Sequence, residues 1–363
     1  MKIMYVMTDL ALGGAEIQVM RMIECLSKNN KVIFVSMMAA ESEEMKNKLD
    51  NMGVTFYSMG LERGSMNIKA FLAFLKIVRK EKPDVIHSHM IHANLLLRAA
   101  SPFLHKSLKI NTIHGEEEFA GKRKMIYRLT DYLVDYTVCC GKALYNQAIK
   151  KKIISSKRIK YICNGLDTNA YVFSNETRYK IRHQYGFTDE FIWITVGRLN
   201  EVKNHKYLLS EFRSLARYKC ALVIVGDGPL RQELEQYVHK WGIANVLFMG
   251  KRDDVGELLS MADAFVLSSI HEGLPLSLQE AGAIGLPLVS TNVGGCNEAI
   301  LEGKNGYLCE SNVKGSLAGC MKTVMEQSII DRNKMGIKSR EIIVKKFDLS
   351  NTIDKWLGLY EKC

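Results

Sequence analysis

No apolar run in this 363-residue chain reaches the ~18 residues of a membrane span. The longest candidates, such as Phe71 to Val78, are broken by Lys76. That excludes a helical membrane protein. The nine cysteines form no CxxC, and their number is odd. Their spacing suits neither a disulfide framework nor a zinc site, so buried small apolar residues in a reducing compartment are expected. The N-terminal stretch MKIMYVMTDL lacks the length and cleavage site of a signal peptide, and a cytoplasmic chain is expected. A hydrophobic fraction of 47% with 25% charged residues excludes disordered, collagen-like and coiled-coil classes. At ~100–200 residues per domain, the length implies two or three domains.

The charge is unevenly placed. The chain carries a formal +11, yet residues 1–185 alone hold +12 and residues 186–363 hold −1. A basic first half suits an anionic partner, whether nucleic acid, a phospholipid surface or a phosphate-bearing substrate. No RNP-like aromatic strand and no zinc spacing accompany it, and the second half is not basic, so no nucleic-acid partner is expected.

Short apolar strands alternate with helical spacing in both halves. In the first, strands are expected at Lys2 to Thr8, Val32 to Ser36, Val54 to Met59, Val85 to Ser88, Lys109 to Ile113 and Thr137 to Cys140. Between them, helices include Ala15 to Ser27, Asn67 to Lys80, Ala93 to Phe103 and Phe119 to Val134. The second half restarts with a strand at Phe191 to Val196 and continues through Ala221 to Val225, Val246 to Met249, Ala264 to Leu267 and Pro287 to Ser290. The tail from Val313 shows helical spacing only. Repeated βαβ units imply α/β architecture, with two Rossmann-like, doubly wound parallel-sheet domains facing a cleft. The expected division is 1–170, a polar linker at 171–190, a second domain at 191–346, and a C-terminal helix at 347–363 packing back on the first domain. Ligands of such sheets bind beyond the carboxyl ends of the strands.

Several strand ends carry suitable chemistry. Leu12-Gly13-Gly14-Ala15-Glu16 joins the first strand to a helix, where paired glycines and free N–H groups can receive a phosphate. It is neither GxGxxG nor a P-loop. Val225-Gly226-Asp227-Gly228-Pro229 is another strand-end turn. Val196-Gly197-Arg198-Leu199 is followed by Lys203, so a planar fork of donors and a mobile point charge stand together. The most specific stretch is His271-Glu272-Gly273-Leu274-Pro275-Leu276-Ser277-Leu278-Gln279-Glu280. It places one carboxylate before a helix and one about a turn inside it, around amides that begin the helix.

Taken in order, GGAE at 13–16, HG at 114–115, NGLD at 164–167, GRLNEVKN at 197–204, GDGPLR at 226–231, the Glu272/Glu280 pair and AGAIGLPLVSTNVGG at 281–295 resemble the retaining nucleotide-sugar glycosyltransferases of family 4, with the GT-B fold. The resemblance implies that Gly13 and Gly14 approach the donor phosphates, with Gly197 and Gly226 at the neighbouring turns. It implies that Arg198 and Lys203 neutralise the departing diphosphate, and that Glu272 orients sugar hydroxyls. The amides of Gly273, Leu274 and Leu276 would support sugar and phosphate, and Glu280 would bind the ribose. Lys251 and Arg252 would lie near the base, and His114 on the acceptor side of the reacting centre. His87, His89 and His92 are expected to be packed or solvated.

The implied reaction moves a hexose or N-acetylhexosamine from a UDP-sugar to a saccharide, with retention of configuration. A lipid-diphosphate-linked acceptor of polysaccharide or lipopolysaccharide synthesis is expected. A GT-B UDP-sugar 2-epimerase would share fold and donor. The sequence has no Asp-x-Asp, the metal clamp of the other glycosyltransferase fold, so no metal and no cofactor are expected. Lys122, Arg123, Lys124 and Arg128 interleave with Phe119, Met125, Ile126, Tyr127 and Leu129, and a second basic cluster spans Lys150 to Lys160. Both suit peripheral docking on the anionic inner face of a plasma membrane.

Overall fold

A computed structural model describes residues 1–8, 14–38, 43–61, 68–104 and 106–361, the side chains of Glu44 and Met45 excepted. The chain forms two compact units, residues 1–165 with 350–363, and residues 166–349. Each unit is built on one all-parallel sheet flanked by helices.

The first unit contains β1 (Lys2–Met7), β2 (Lys31–Met38), β3 (Thr55–Leu61), β4 (Val85–His89), β5 (Leu108–Ile113), β6 (Tyr136–Cys139) and β7 (Ile159–Tyr161). Their order is β3-β2-β1-β4-β5-β6-β7. The chain winds outward from β1 in one direction and from β4 in the other, so the switch point lies between those two strands. The second unit contains β8 (Phe191–Val196), β9 (Cys220–Val225), β10 (Val246–Gly250), β11 (Ala264–Leu267), β12 (Leu288–Thr291) and β13 (Gly306–Cys309), in the order β10-β9-β8-β11-β12-β13. Its switch point lies between β8 and β11.

Strands β9 and β11 are apolar and buried throughout because helices cover both faces. All six residues of β9, Cys-Ala-Leu-Val-Ile-Val, are buried. One face of this sheet, with Leu222 and Ile224, packs on Leu208, Leu209 and Phe212 of the helix at 205–213. Each fully buried side chain of this size contributes about 1.5–3 kcal/mol from the water it leaves. In the first unit Met4, Val6, Ile33 and Ile86 pack on Phe74, Val78, Leu96 and Leu97 in the same way.

The stretch expected as a linker is partly helical. Asn175–Gln184 forms a helix capped by Ser174, whose Oγ accepts the Thr177 N–H at 3.1 Å. Ile181 alone is buried on it, which explains the missing apolar period. Arginine forks hold it in place. Arg178 donates to the carbonyls of Met261 and Ala262 at 2.9 and 2.6 Å, and pairs with Asp263 at 2.6 Å. Arg182 reaches the same Asp263 at 3.3 Å. The short strands β7 and β13 were not anticipated either. The region expected as one helix from Phe119 to Val134 is a helix only at Lys122–Leu129, between short 3-10 turns. The C-terminal helix Leu349–Tyr360 brings Tyr360 against β1 and β4, where its hydroxyl lies 3.1 Å from the Tyr5 hydroxyl and 2.7 Å from His87 Nδ1.

Candidate active site

In the second unit the chemistry gathers where β8 and β11 end, at the switch point. The turn after β8 carries exposed Arg198 and half-buried Lys203. Asn200 sets this turn by accepting the Lys203 N–H on its side chain at 3.1 Å. The loop after β11 carries Glu272. Lys203 Nζ and Glu272 Oε1 are 2.6 Å apart, so two residues 69 apart in sequence form one ion pair. Ser269 donates its hydroxyl to the same Oε1 at 2.5 Å. The loops are also tied through backbone. Ile270 N–H donates to Val202 O at 2.8 Å, and Ser268 Oγ to Lys203 O at 2.8 Å. A fixed carboxylate and a fixed ammonium at a parallel-sheet switch point can hold hydroxyls and an anion together.

The loop after β12 closes on this one from behind. Gly295 N–H donates to Gly273 O at 2.8 Å. A Cβ on Gly294 would stand 1.7 Å from the Glu272 carbonyl oxygen, and φ there is +51°. Only glycine fits that approach. Gly226 is similar. Its φ is +133°, and a Cβ would stand 2.0 Å from the Gly197 carbonyl oxygen, so the turns after β8 and β9 meet backbone to backbone.

The helix Leu276–Ile284 starts directly after Pro275, with Gly273 half-buried and Leu274 buried before it. Leu276 therefore supplies a first-turn N–H, as expected. Glu280 sits inside that helix and accepts the Tyr171 hydroxyl at 2.8 Å. Lys251 is exposed beyond β10, while Arg252 makes two bonds to Asp254, at 2.8 and 2.5 Å. Arg252 is thus held by Asp254, two residues along the same loop. Gly14 begins the helix Gly14–Leu26 of the first unit, and Gly13 lies outside the described residues.

At the strand ends of the first unit stands a histidine cluster. His87 and His89 on β4 are buried, with ring centroids 4.1 Å apart. His87 Nε2 lies 2.7 Å from Thr112 Oγ1. His114, just past β5, is half-buried, and its Nε2 lies 3.0 Å from His89 Nδ1. Burial holds all three imidazoles below their usual range, His114 down to about 4. The turn bearing His114 is fixed by buried Glu118, which accepts its N–H at 2.8 Å and binds Asn94 and Tyr127. Burial raises that carboxyl to about 7. His92 is exposed. Tyr127 of the basic helix, and Phe119 in the 3-10 turn before it, pack into the core rather than joining an outer flank. Met125, Ile126 and Leu129 do face outward beside Lys122, Arg123 and Arg128.

Ser269, Tyr171 and Glu118 escaped the sequence reading. Ser269 had one signal, its place between a strand end and Glu272. Tyr171 had none, since it lay in the polar stretch.

Residues 12–170 match the family model described as Glycosyltransferase Family 4, and residues 177–342 the one described as Glycosyl transferases group 1. The chain is 27% identical over 352 residues to the UDP-Gal:alpha-D-GlcNAc-diphosphoundecaprenol alpha-1,3-galactosyltransferase of Escherichia coli, covering 91% of this chain and 89% of that one. It is also 27% identical over 371 residues to a Campylobacter jejuni alpha-1,4-N-acetyl-D-galactosaminyltransferase acting on GalNAc-alpha-(1->4)-GalNAc-alpha-(1->3)-diNAcBac-PP-undecaprenol, covering 99% and 98%. Among solved structures, Anabaena HepE in complex with UDP has the same fold, with a TM-score of 0.86 at 21% identity over the full length of both chains.

Proposed function

The chain belongs to the family 4 glycosyltransferases of GT-B fold, and from that premise we propose that it moves a hexose or N-acetylhexosamine from a UDP-sugar to a lipid-diphosphate-linked saccharide, with retention of configuration. The observation that carries the donor half is the Lys203–Glu272 pair beside Arg198 at the switch point of the second unit. The turn after β8 carries two cations, one of them held against a carboxylate able to take sugar hydroxyls, and a diphosphate there would meet both. Two relatives whose names specify diphosphoundecaprenol or PP-undecaprenol substrates support the acceptor half.

The chemistry follows from charge. The bond between the anomeric carbon and the diphosphate oxygen breaks, and its electron pair leaves with UDP. Lys203 and Arg198 stabilise the growing negative charge, the task a metal performs elsewhere, so turnover proceeds without one. Glu272 holds the sugar hydroxyls, and Glu280, oriented by Tyr171, takes the ribose diol. The acceptor hydroxyl attacks from the face the diphosphate leaves, and its proton passes to a departing phosphate oxygen.

The enzyme docks on an anionic leaflet through the helix at 122–129. Its exposed Met125, Ile126 and Leu129 enter the interface while Lys122, Arg123 and Arg128 meet lipid phosphates. Each engaged cation is worth about 1 kcal/mol.

The test combines two assays. A panel of UDP-sugars and a GDP-sugar is incubated with synthetic diphosphate-linked acceptors in EDTA, and the glycosylated lipid is followed. Product from one UDP-sugar with the anomeric configuration kept is expected. UDP release without acceptor, inverted product, or dependence on added metal overturns the corresponding part. Co-sedimentation with anionic and neutral vesicles then reads the docking. Charge reversal at Lys122, Arg123 and Lys124 should abolish binding to anionic vesicles and leave UDP binding intact. Equal sedimentation with neutral vesicles contradicts electrostatic docking.

A further inference from the structure

His89 and His114 share one hydrogen bond between two neutral rings. Nδ1 of His89 lies 3.0 Å from Nε2 of His114, and the ring planes are inclined by 34°. Of the two rings, one must donate and the other accept. Among the described residues, the rings packed against His89 are those of Tyr5, His87 and His114, at centroid distances of 5.8, 4.1 and 5.3 Å. None of them is a carboxylate that would favour an imidazolium. Burial holds both rings of the pair unprotonated at neutral pH.

The remaining nitrogen of His89 decides between the two arrangements. His89 Nε2 is buried and has no hydrogen-bond partner among the described residues. If His114 donated from Nε2, His89 would accept at Nδ1 and carry its proton on Nε2, leaving a buried N–H unmet. If His89 donates from Nδ1, its Nε2 is a bare lone pair. Buried N–H groups without acceptors are rarer and costlier than under-used lone pairs. The second arrangement wins, and it fixes His114 too. Its Nε2 accepts, so its proton sits on Nδ1. That nitrogen has no partner among the described residues, and the ring is half-buried.

We propose that His89 is a positioning residue that locks His114 as the Nδ1–H tautomer, so that His114 presents a hydrogen-bond donor to a saccharide oxygen and does not act as a base. The donor role rests on the function proposed above and on the acceptor-side place that the family resemblance implies for His114; the lock does not. Register supplies the lock. β4 and β5 pair His89 with Thr112, two residues before His114, so the strands hold the two rings together.

The experiment is a long-range proton–nitrogen NMR spectrum of the full chain labelled in histidine, at neutral pH and without substrate, with His114 assigned by its loss in His114→Asn. The expected spectrum has a protonated Nδ1 and a bare Nε2 on His114. A protonated Nε2 with a bare Nδ1 overturns the lock, whatever the enzyme proves to transfer. His89→Phe keeps the ring and removes the donor. It should release His114 to a mixture of tautomers and lower turnover about tenfold, the worth of one hydrogen bond. An unchanged tautomer in that variant also overturns the lock. If the variant does not fold, the wild-type spectrum still decides. The donor role is read separately. Asn places an amide nitrogen where Nδ1 stands and Gln places one where Nε2 stands, so His114→Asn should be about tenfold more active than His114→Gln. Equal activities overturn the donor role and leave the lock standing.

Discussion

The two units share a topology and differ in the electrostatics of their strand ends. The half of the chain containing most of the first unit carries +12, yet its strand ends hold three neutral imidazoles and a buried carboxyl. The other half totals −1, yet its strand ends carry Arg198 and the Lys203–Glu272 pair. Net charge therefore does not mark the proposed anion site. Its position at the switch point does. One unit offers neutral, oriented hydrogen-bonding groups of the kind that hold hydroxyls, and the other offers fixed charges of the kind that hold phosphates.

The strongest way to break this contrast is to remove the cations. Arg198→Ala and Lys203→Ala should each lower turnover by roughly 10²–10³, the size of one lost preorganised donor. Thermal unfolding should be little changed. Near-native rates in steady-state assays would mean that the second unit does not stabilise a leaving anion.

The neutral centre can be tested through pH. Glu118 is raised to about 7 in the folded chain, so the folded state binds its proton more tightly than the unfolded state. Its contribution is fully present below about pH 4 and is lost as pH rises toward 7, worth about 3 kcal/mol in all. The three histidines run the other way. Their folded values lie below about 6.5, so stability falls as pH drops through that value and the unfolded chain takes up protons. Glu118→Gln should therefore stabilise the chain at pH 8 relative to pH 5, and denaturant melts across that range would show it. A variant whose stability tracks the wild type at every pH would refute the buried-acid account.

Much of the fold was legible in the sequence because apolar strands at helical intervals admit few other architectures. What escaped was held by polar anchors or by very short pairing. The helix at 175–184 rests on Arg178 and Arg182 against Asp263, which no hydrophobic period reveals. Strands β7 and β13 have three and four residues, too few for a period. At the site, Glu272, Lys203 and Glu280 stood out by their loops. Their partners did not, since Ser269, Tyr171 and the Lys203–Glu272 pair depend on which strand ends become neighbours. His87 and His89 were visible but read as packed or solvated, and His114 was given an acceptor-side role without a partner. Only the register of β4 against β5 shows that His89 meets His114.

Smaller effects sharpen the contrast. Gly294→Ala must move the Glu272 backbone as well as adopt a positive φ, at about 1–3 kcal/mol. Reduced thermal stability together with reduced turnover is expected, and a silent variant would mean that the loop after β12 does not buttress the site. Glu280→Gln should weaken UDP binding, and Tyr171→Phe, which removes one bond to that carboxylate, should weaken it less, by about threefold to tenfold. Calorimetric titration separates these losses from a fall in stability.

The division of labour between the units is tested most directly by UDP affinity in EDTA, measured by calorimetry on Arg198→Ala and on His114→Asn side by side with the wild type. Loss of a charge-assisted bond in the first should weaken UDP binding about tenfold or more, and the second should bind UDP as the wild type does. Unchanged affinity in Arg198→Ala, or an equal loss in His114→Asn, would contradict the placing of the anion site in the second unit.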